Sequence, residues 1–202
     1  MKRVLLAAGL GVMMCAVAAW AAPQATQPTV ATSKNPVVLK KLDSQKQLTP
    51  EYTVRPTPPA SKVQRNWHEI TLHFETYPEW LDDLDMTCYV LVKGKGGTQG
   101  TKQMLLKGDV TLVNIAKGKH KNDFFVHPNT LLRYGEIEMV AVVLFQQGQL
   151  KGMLSQPPSS KRWWEDHQPV PGLVLRRADT PWALINFDDY EQVKDAPGTG
   201  AR

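Results

Sequence analysis

Cysteine is nearly absent: the chain of 202 residues has two, Cys15 and Cys88. That excludes a disulfide-stapled scaffold and a cysteine-ligated zinc protein. No apolar run beyond residue 22 is long enough to span a membrane as a helix. Catalytic signatures are missing too. There is no Gly-x-Ser-x-Gly, hence no nucleophile elbow, and no Ser-x-x-Lys. The loop Gly94-Lys95-Gly96-Gly97-Thr98-Gln99-Gly100 departs from the dinucleotide fingerprint by one residue, leads into a strand pattern and lacks the Gly-Lys-Ser/Thr of a phosphate-binding loop. What remains is a chain with 42% hydrophobic residues, enough for a packed core.

The first residues read as an address. Met1-Lys2-Arg3 is a short basic region, Val4 to Val17 is uncharged and apolar, and Ala19-Trp20-Ala21 fits a signal-peptidase site. This order predicts a secretory signal peptide over 1–21, with the mature chain starting at Ala22; an uncleaved anchor is the rival reading. Met14 before Cys15 disfavours a lipoprotein, and Ala16 five residues after Gly11 disfavours a type IV prepilin. Cleavage would leave Cys88 alone, in a strand pattern that suits a buried thiol.

Charge is unevenly placed. Residues 23–66 hold seven prolines, six threonines and no glycine, with seven basic residues against two acidic ones. Residues 67–202 have 15 basic and 17 acidic residues, so the formal charge of +5 does not describe the domain. A nucleic-acid partner is therefore not expected. Residues 22–66 read as a basic Pro/Thr-rich linker. Within it, Val37, Val38 and Leu39, followed by Leu42 and Leu48, could form a short helix or a strand that pairs with a sheet edge.

From Trp67 the pattern changes to period two. Ile70, Leu72 and Phe74 alternate with Glu69, Thr71 and His73. Met86 to Lys93 is apolar on both faces, as in a central strand. Glu136 to Gln146, Gln147-Gly148 and Gln149 to Leu154 form a hairpin pattern. Further strands are expected at Met104–Leu106 with Val110–Ile115 (one bent strand or two short ones, with Gly108 at a bulge or bend between them), Asp123–Val126, Leu173–Arg176 and Trp182–Phe187. Tyr77–Leu84 and Lys117–Asn122 read as turns, and short helical turns are expected after His127-Pro128 and over Lys161–Asp166. The expected core includes Ile70, Leu72, Phe74, Cys88, Val90, Val110, Leu112, Met139, Ala141, Val143 and Leu184. Many short strands without a long amphipathic helix predict an all-β domain over 67–194, an antiparallel β-sandwich or barrel, followed by a flexible end at 195–202. Tyr134-Gly135 ahead of the clearest strand resembles the tyrosine corner of immunoglobulin-like domains.

Sites of chemistry are sparse. His68 and His73 stand on one strand but face opposite sides, so they cannot share a metal. Glu79, Asp82, Asp83 and Asp85 form an acidic cluster without the spacing of a calcium loop, and read as a solvated turn. No metal and no cofactor are implied. The candidate binding segment is Lys161-Arg162-Trp163-Trp164, where adjacent indoles beside basic residues can make a stacking platform for a sugar or a protein hot spot. One tryptophan is expected to be buried and the other partly exposed.

The signal peptide, the Pro/Thr tail, the run from Trp67 through Tyr89-Val90-Leu91-Val92, and the block from Leu131-Leu132-Arg133-Tyr134-Gly135-Glu136 to Asn186-Phe187-Asp188-Asp189-Tyr190 resemble an exported protein family of verrucomicrobial bacteria associated with a type IV pilus-like gene cluster. The resemblance implies an immunoglobulin-like sandwich similar to archaeal type IV pilins. The missing prepilin signature turns the expectation from a polymerising pilin to an accessory. The expected function is thus that of a non-enzymatic envelope or surface protein, periplasmic, outer-membrane-associated or at the cell surface, that works through contacts with envelope or pilus proteins. The alternatives are a carbohydrate-binding sandwich that takes host or surface glycans on Trp163 and Trp164, and a hydrolase with carboxylates in its loops.

Overall fold

In a computed structural model, the short strands that the sequence pattern suggested between Trp67 and Val126 are merged into two long ones. The structure describes residues 35–51, 64–94 and 103–194. The signal peptide with its cleavage site, the glycine-rich loop beyond Gly94 and the C-terminal end lie outside the described residues. Strands β1 (Val37–Leu48), β2 (Asn66–Lys93) and β3 (Gln103–Val126) precede helix α1 (Pro128–Tyr134). Strands β4 (Glu136–Gln146), β5 (Gln149–Gln156), β6 (Pro169–Pro171), β7 (Val174–Arg176) and β8 (Gln192–Val193) follow.

All eight strands belong to one hydrogen-bonded sheet with the path β5-β4-β2-β3-β6; β1 pairs with β2, while β7 and β8 pair with β3. The sheet folds over because β2 and β3 form a long hairpin that runs through two layers. Residues 66–76 of β2 pair with β1 and with 118–126 of β3, which also carries β7. Residues 80–93 pair with 103–116 of β3, and from Asp85 onward with β4, whose hairpin partner is β5. Ile70, Leu72, Phe74 and Phe124 of the first half pack with Met86, Cys88, Val90, Val110, Leu112, Val142 and Leu144 of the second in one buried cluster. The fold is all-β and sandwich-like.

The crossing point has a local cause. Register between β2 and β3 shifts between Thr76 and Trp80, where Pro78 has no N–H for the ladder. The Thr76 hydroxyl donates to the Ala116 carbonyl at 2.6 Å and accepts from the Gly118 N–H at 3.1 Å. A buried side chain thus replaces bonds that the bent ladder forgoes. Tyr77–Leu84 and Lys117–Asn122, expected as turns, are therefore strand: their irregularities are absorbed inside a continuous hairpin. The acidic cluster lies on this strand as well, and Asp85 accepts from the Thr111 hydroxyl at 2.6 Å.

Gly108 does not mark a bulge. It pairs in register with Cys88, and a Cβ there would stand 2.4 Å from the Val174 carbonyl oxygen. Its smallness lets β7 cross close by. Gly135 has φ 113°, and a Cβ would come within 2.0 Å of the Lys93 carbonyl oxygen. That glycine, more than Tyr134, is what the α1–β4 junction requires. Tyr134 packs against the main core with the Arg133 guanidinium 4.9 Å from its ring centre. The β4–β5 turn at Gln147 and Gly148 has positive φ at both residues, matching the twist of a two-residue hairpin.

Two expectations about the N-terminal region and the core are corrected. Residues 37–48 are not linker: Val37, Val38 and Leu39 lie in β1, Val37 is buried in the main core, and Leu39 and Leu42 pack against it. The composition of the tail hid a strand whose apolar side finds its partner only across the sheet. Leu184 is exposed, because 182–187 forms turns instead of a strand, and Met139 is only half-buried.

Candidate functional site

The tryptophan pair opens a short 3-10 turn, Trp163–Asp166. Both rings are covered, at 9% and 7% exposure, contrary to the expectation of one exposed indole. They lie over the outer face of the second layer with Leu91, Leu105, Ala141 and Val143. Trp164 stacks on Tyr89, with ring centres 5.4 Å apart and planes at 9°. Trp163 meets Trp164 edge to face and donates its indole N–H to the Ser155 hydroxyl at 3.2 Å. β4 therefore has apolar residues on both faces because each face has a cover. Lys161 and Arg162 are exposed, and Arg162 pairs with Glu165 at 3.3 Å. The four candidate residues are neighbours, but the indoles form a core and leave no open platform.

A second set of residues, not found by sequence reading, is built by the C-terminal segment. Asp123 is buried on the outer face of the first layer. Its carboxylate accepts from Thr71 Oγ1 at 2.8 Å, from Arg177 Nη1 at 2.9 Å and from the Tyr190 hydroxyl. Arg177 also donates to the Ile185 carbonyl and lies over the Tyr190 ring at 3.8 Å. Burial, with the Asp123 carboxylate beside it, pushes the Tyr190 hydroxyl well above the usual phenol range. The Asp123–Arg177 pair ties residues 177–190 to the sheet. Such a buried pair anchors position more than it adds net stability. A second tie joins the His120 ring, through Nδ1, to the Glu191 carboxylate at 2.6 Å.

Between these ties a cleft of about 560 Å³ opens at the flank of the sandwich. Val110, Asn122, Arg177, Phe187, Tyr190 and Val193 are among the residues lining it. Phe187 is 71% exposed, and Leu184 in the preceding turn is 79% exposed. A contiguous signal for this cleft is missing from the sequence, because its walls come from β3, β8 and the turns between them.

On the far side of Tyr190 lies a shallower polar basin lined by Asp43, Glu69, His73 and Lys121 among others. Glu69 accepts from Gln45 Nε2 at 3.1 Å, and burial raises its carboxyl above the ordinary value. His73 stands 3.6 Å from Asp43, whereas His68 contacts Ser44 Oγ at 2.6 Å, so the two histidines do not converge. Among the described residues no group of three or more His, Cys, Asp or Glu side chains is placed to hold a metal. Cys88 is fully buried, and burial pushes its thiol far up, away from reactive thiolate character.

These features define an all-β, sandwich-like protein with a cleft at its flank. A protein-family model matches residues 28–197, and the chain belongs to that family, one of pilus-associated extracellular proteins. The fold is similar to that in a crystal structure of a protein from Akkermansia muciniphila, with a TM-score of 0.68 over 79% of this chain and 93% of that one. At 18% identity the likeness is one of fold. No curated protein matches the sequence.

Proposed function

We propose that this chain is an exported, non-enzymatic surface protein, an accessory of a pilus-like assembly that works through contacts with envelope or pilus proteins. Family membership across residues 28–197 carries this reading. The described surface supports it. Leu184 and Phe187 present large apolar side chains to solvent beside a preformed cleft, held in place by the buried Asp123–Arg177–Tyr190 network. Exposed apolar anchors on rigid supports are the chemistry of a protein contact. Trp163 and Trp164, on which the glycan alternative rests, pack against the sheet.

The experiment is cross-linked capture from envelope fractions with the wild-type chain and a Leu184→Ser/Phe187→Ser variant. Both positions are exposed, so the variant should melt within about 0.5 kcal/mol of wild type. Loss of specific captured proteins in the variant is expected. Recovery of the same set at the same yield would refute the cleft mouth as the contact surface.

A further inference from the structure

The two flanks of the sandwich are finished differently. On the flank of β3, the free side of the hairpin is covered by β6, β7 and β8, and β6 has a proline at each end. Short strands and prolines close that edge to further pairing. β1, on the other side of β2, is 12 residues long and pairs with β2 alone. Among the described residues no strand pairs with its outer edge. β5, at the edge of the second layer, is shorter, and its Lys151 carbonyl already accepts from Asn35 Nδ2 at 3.0 Å. An open edge as long as β1 is a template for another strand.

Lysines on an edge strand discourage pairing. Two of the three in β1 are neutralised within the chain. Lys40 Nζ lies 2.7 Å from Glu75, at a bulge that shifts the register between Leu39 and Lys41, and Lys41 Nζ lies 2.9 Å from Asp43. The run Lys41-Leu42-Asp43 is also complementary in charge to its own reverse. Two copies of one strand related by a twofold axis pair antiparallel, with one residue opposite its own counterpart. An axis at Lys41 sets lysine on lysine. An axis at Asp43 sets aspartate on aspartate and Lys40 against Lys46. Like charges directly opposite are destabilising. Axes at Ser44 or Gln45 bring no opposite charges together. An axis at Leu42 sets Lys41 against Asp43 twice, on either side of a leucine pair, and leaves Lys46 against the Val37–Val38 end.

We propose that a second copy of this chain pairs through β1, antiparallel and centred on Leu42, so that the first layers of two sandwiches join into one sheet. Lys41 and Asp43 of both copies then form a square of alternating charge on the outer face. Leu42, half-buried beside the core of a single copy, gains a cover. An edge contact of this length is smaller than a standard protein interface, so the association is weak and reversible. It goes beyond the contact reading and uses a different surface. Leu184 and Phe187 lie in the C-terminal turns that Asp123 of β3 holds through Arg177 and Tyr190.

Sedimentation of the mature chain, residues 22–202, from about 1 μM to 1 mM should show a monomer–dimer equilibrium. Asp43→Lys should weaken it at least about tenfold, and Lys41→Asp/Asp43→Lys should restore it, because the swap re-creates both cross-strand pairs. Disulfides read the register. Opposite residues of an antiparallel pair have Cα atoms about 4.5–5.5 Å apart, within disulfide range, whereas residue 41 and its own counterpart stand more than about 7 Å apart. An oxidised mixture of Lys41→Cys and Asp43→Cys chains should therefore give a linked mixed dimer, and each variant alone should stay unlinked. Cys88 is buried and takes no part. A wild-type chain that stays monomeric at the highest concentration, a charge swap that fails to restore association, or linkage of either variant alone as readily as the mixture would overturn the proposal. The Leu184→Ser/Phe187→Ser variant should dimerise as wild type does, so the edge and the cleft mouth stand or fall separately.

Discussion

Replacing Trp164 by alanine tests the central claim about the tryptophan pair, that it is core and not platform. The side chain is 7% exposed, stacks on Tyr89 and meets Trp163 edge to face. Truncating a buried tryptophan to alanine costs about 3–5 kcal/mol, through lost transfer energy and the cavity left behind. The two aromatic contacts are part of that cost, at about 0.5–1.5 kcal/mol each. For a domain of this size each kcal/mol lowers the melting temperature by roughly 2–4 °C, so the expected drop is on the order of 10 °C. Trp163→Phe should cost far less, about 1 kcal/mol, since the ring is kept and only the indole N–H bond to Ser155 is lost. Lys161→Ala/Arg162→Ala, at exposed positions, should stay within about 0.5 kcal/mol of wild type. Urea unfolding of the variants, with midpoints and slopes fitted together, separates these cases. A Trp164→Ala protein whose stability falls by less than about 1 kcal/mol, with unchanged slope, would refute the packing argument and reopen a binding role for the pair.

Deleting residues 22–48 should lower the melting temperature by more than 10 °C or prevent folding, because it removes β1, exposes the flank that Val37, Leu39 and Leu42 cover, and leaves the first half of β2 as an edge; thermal melts followed by circular dichroism check this, and an unchanged melt would return the segment to linker. Burial, aided by the charge of Lys46, pushes His68 down to about 4. Its folded value lies below the unfolded one, so the unfolded chain binds the extra proton and stability is lost as pH falls from about 6.5 towards 4. With solvent screening of a half-buried ring allowed for, the loss is about 1–2 kcal/mol. Glu69, raised by burial, contributes with the opposite sign, so the diagnostic is the difference between wild type and His68→Gln in urea melts across that window. Parallel curves would show that His68 does not contribute the slope.

The sequence by itself determined the class of fold. Alternation at Ile70, Leu72 and Phe74, the doubly apolar run around Cys88 and Val90, and the Gln147-Gly148 hairpin are local signals, since strand periodicity and turn chemistry need no knowledge of distant residues. Each appears in the structure as a buried position or a turn. Tertiary structure decided the rest. Whether Val37–Leu48 was linker or strand depended on a partner edge in β2, because a single strand cannot satisfy its own backbone groups. Whether Tyr77–Leu84 was a turn or the crossing of one long strand depended on Ala116 and Gly118 of β3, which share the Thr76 hydroxyl. The tryptophans could be read as exposed or buried until Tyr89, Leu91 and Ala141 placed an apolar face beneath them. The candidate cleft lay furthest from sequence reading. Asn122, Arg177, Phe187 and Tyr190 share no spacing that marks them, and they meet only because the buried Asp123 carboxylate draws Arg177 and Tyr190 back onto the sheet.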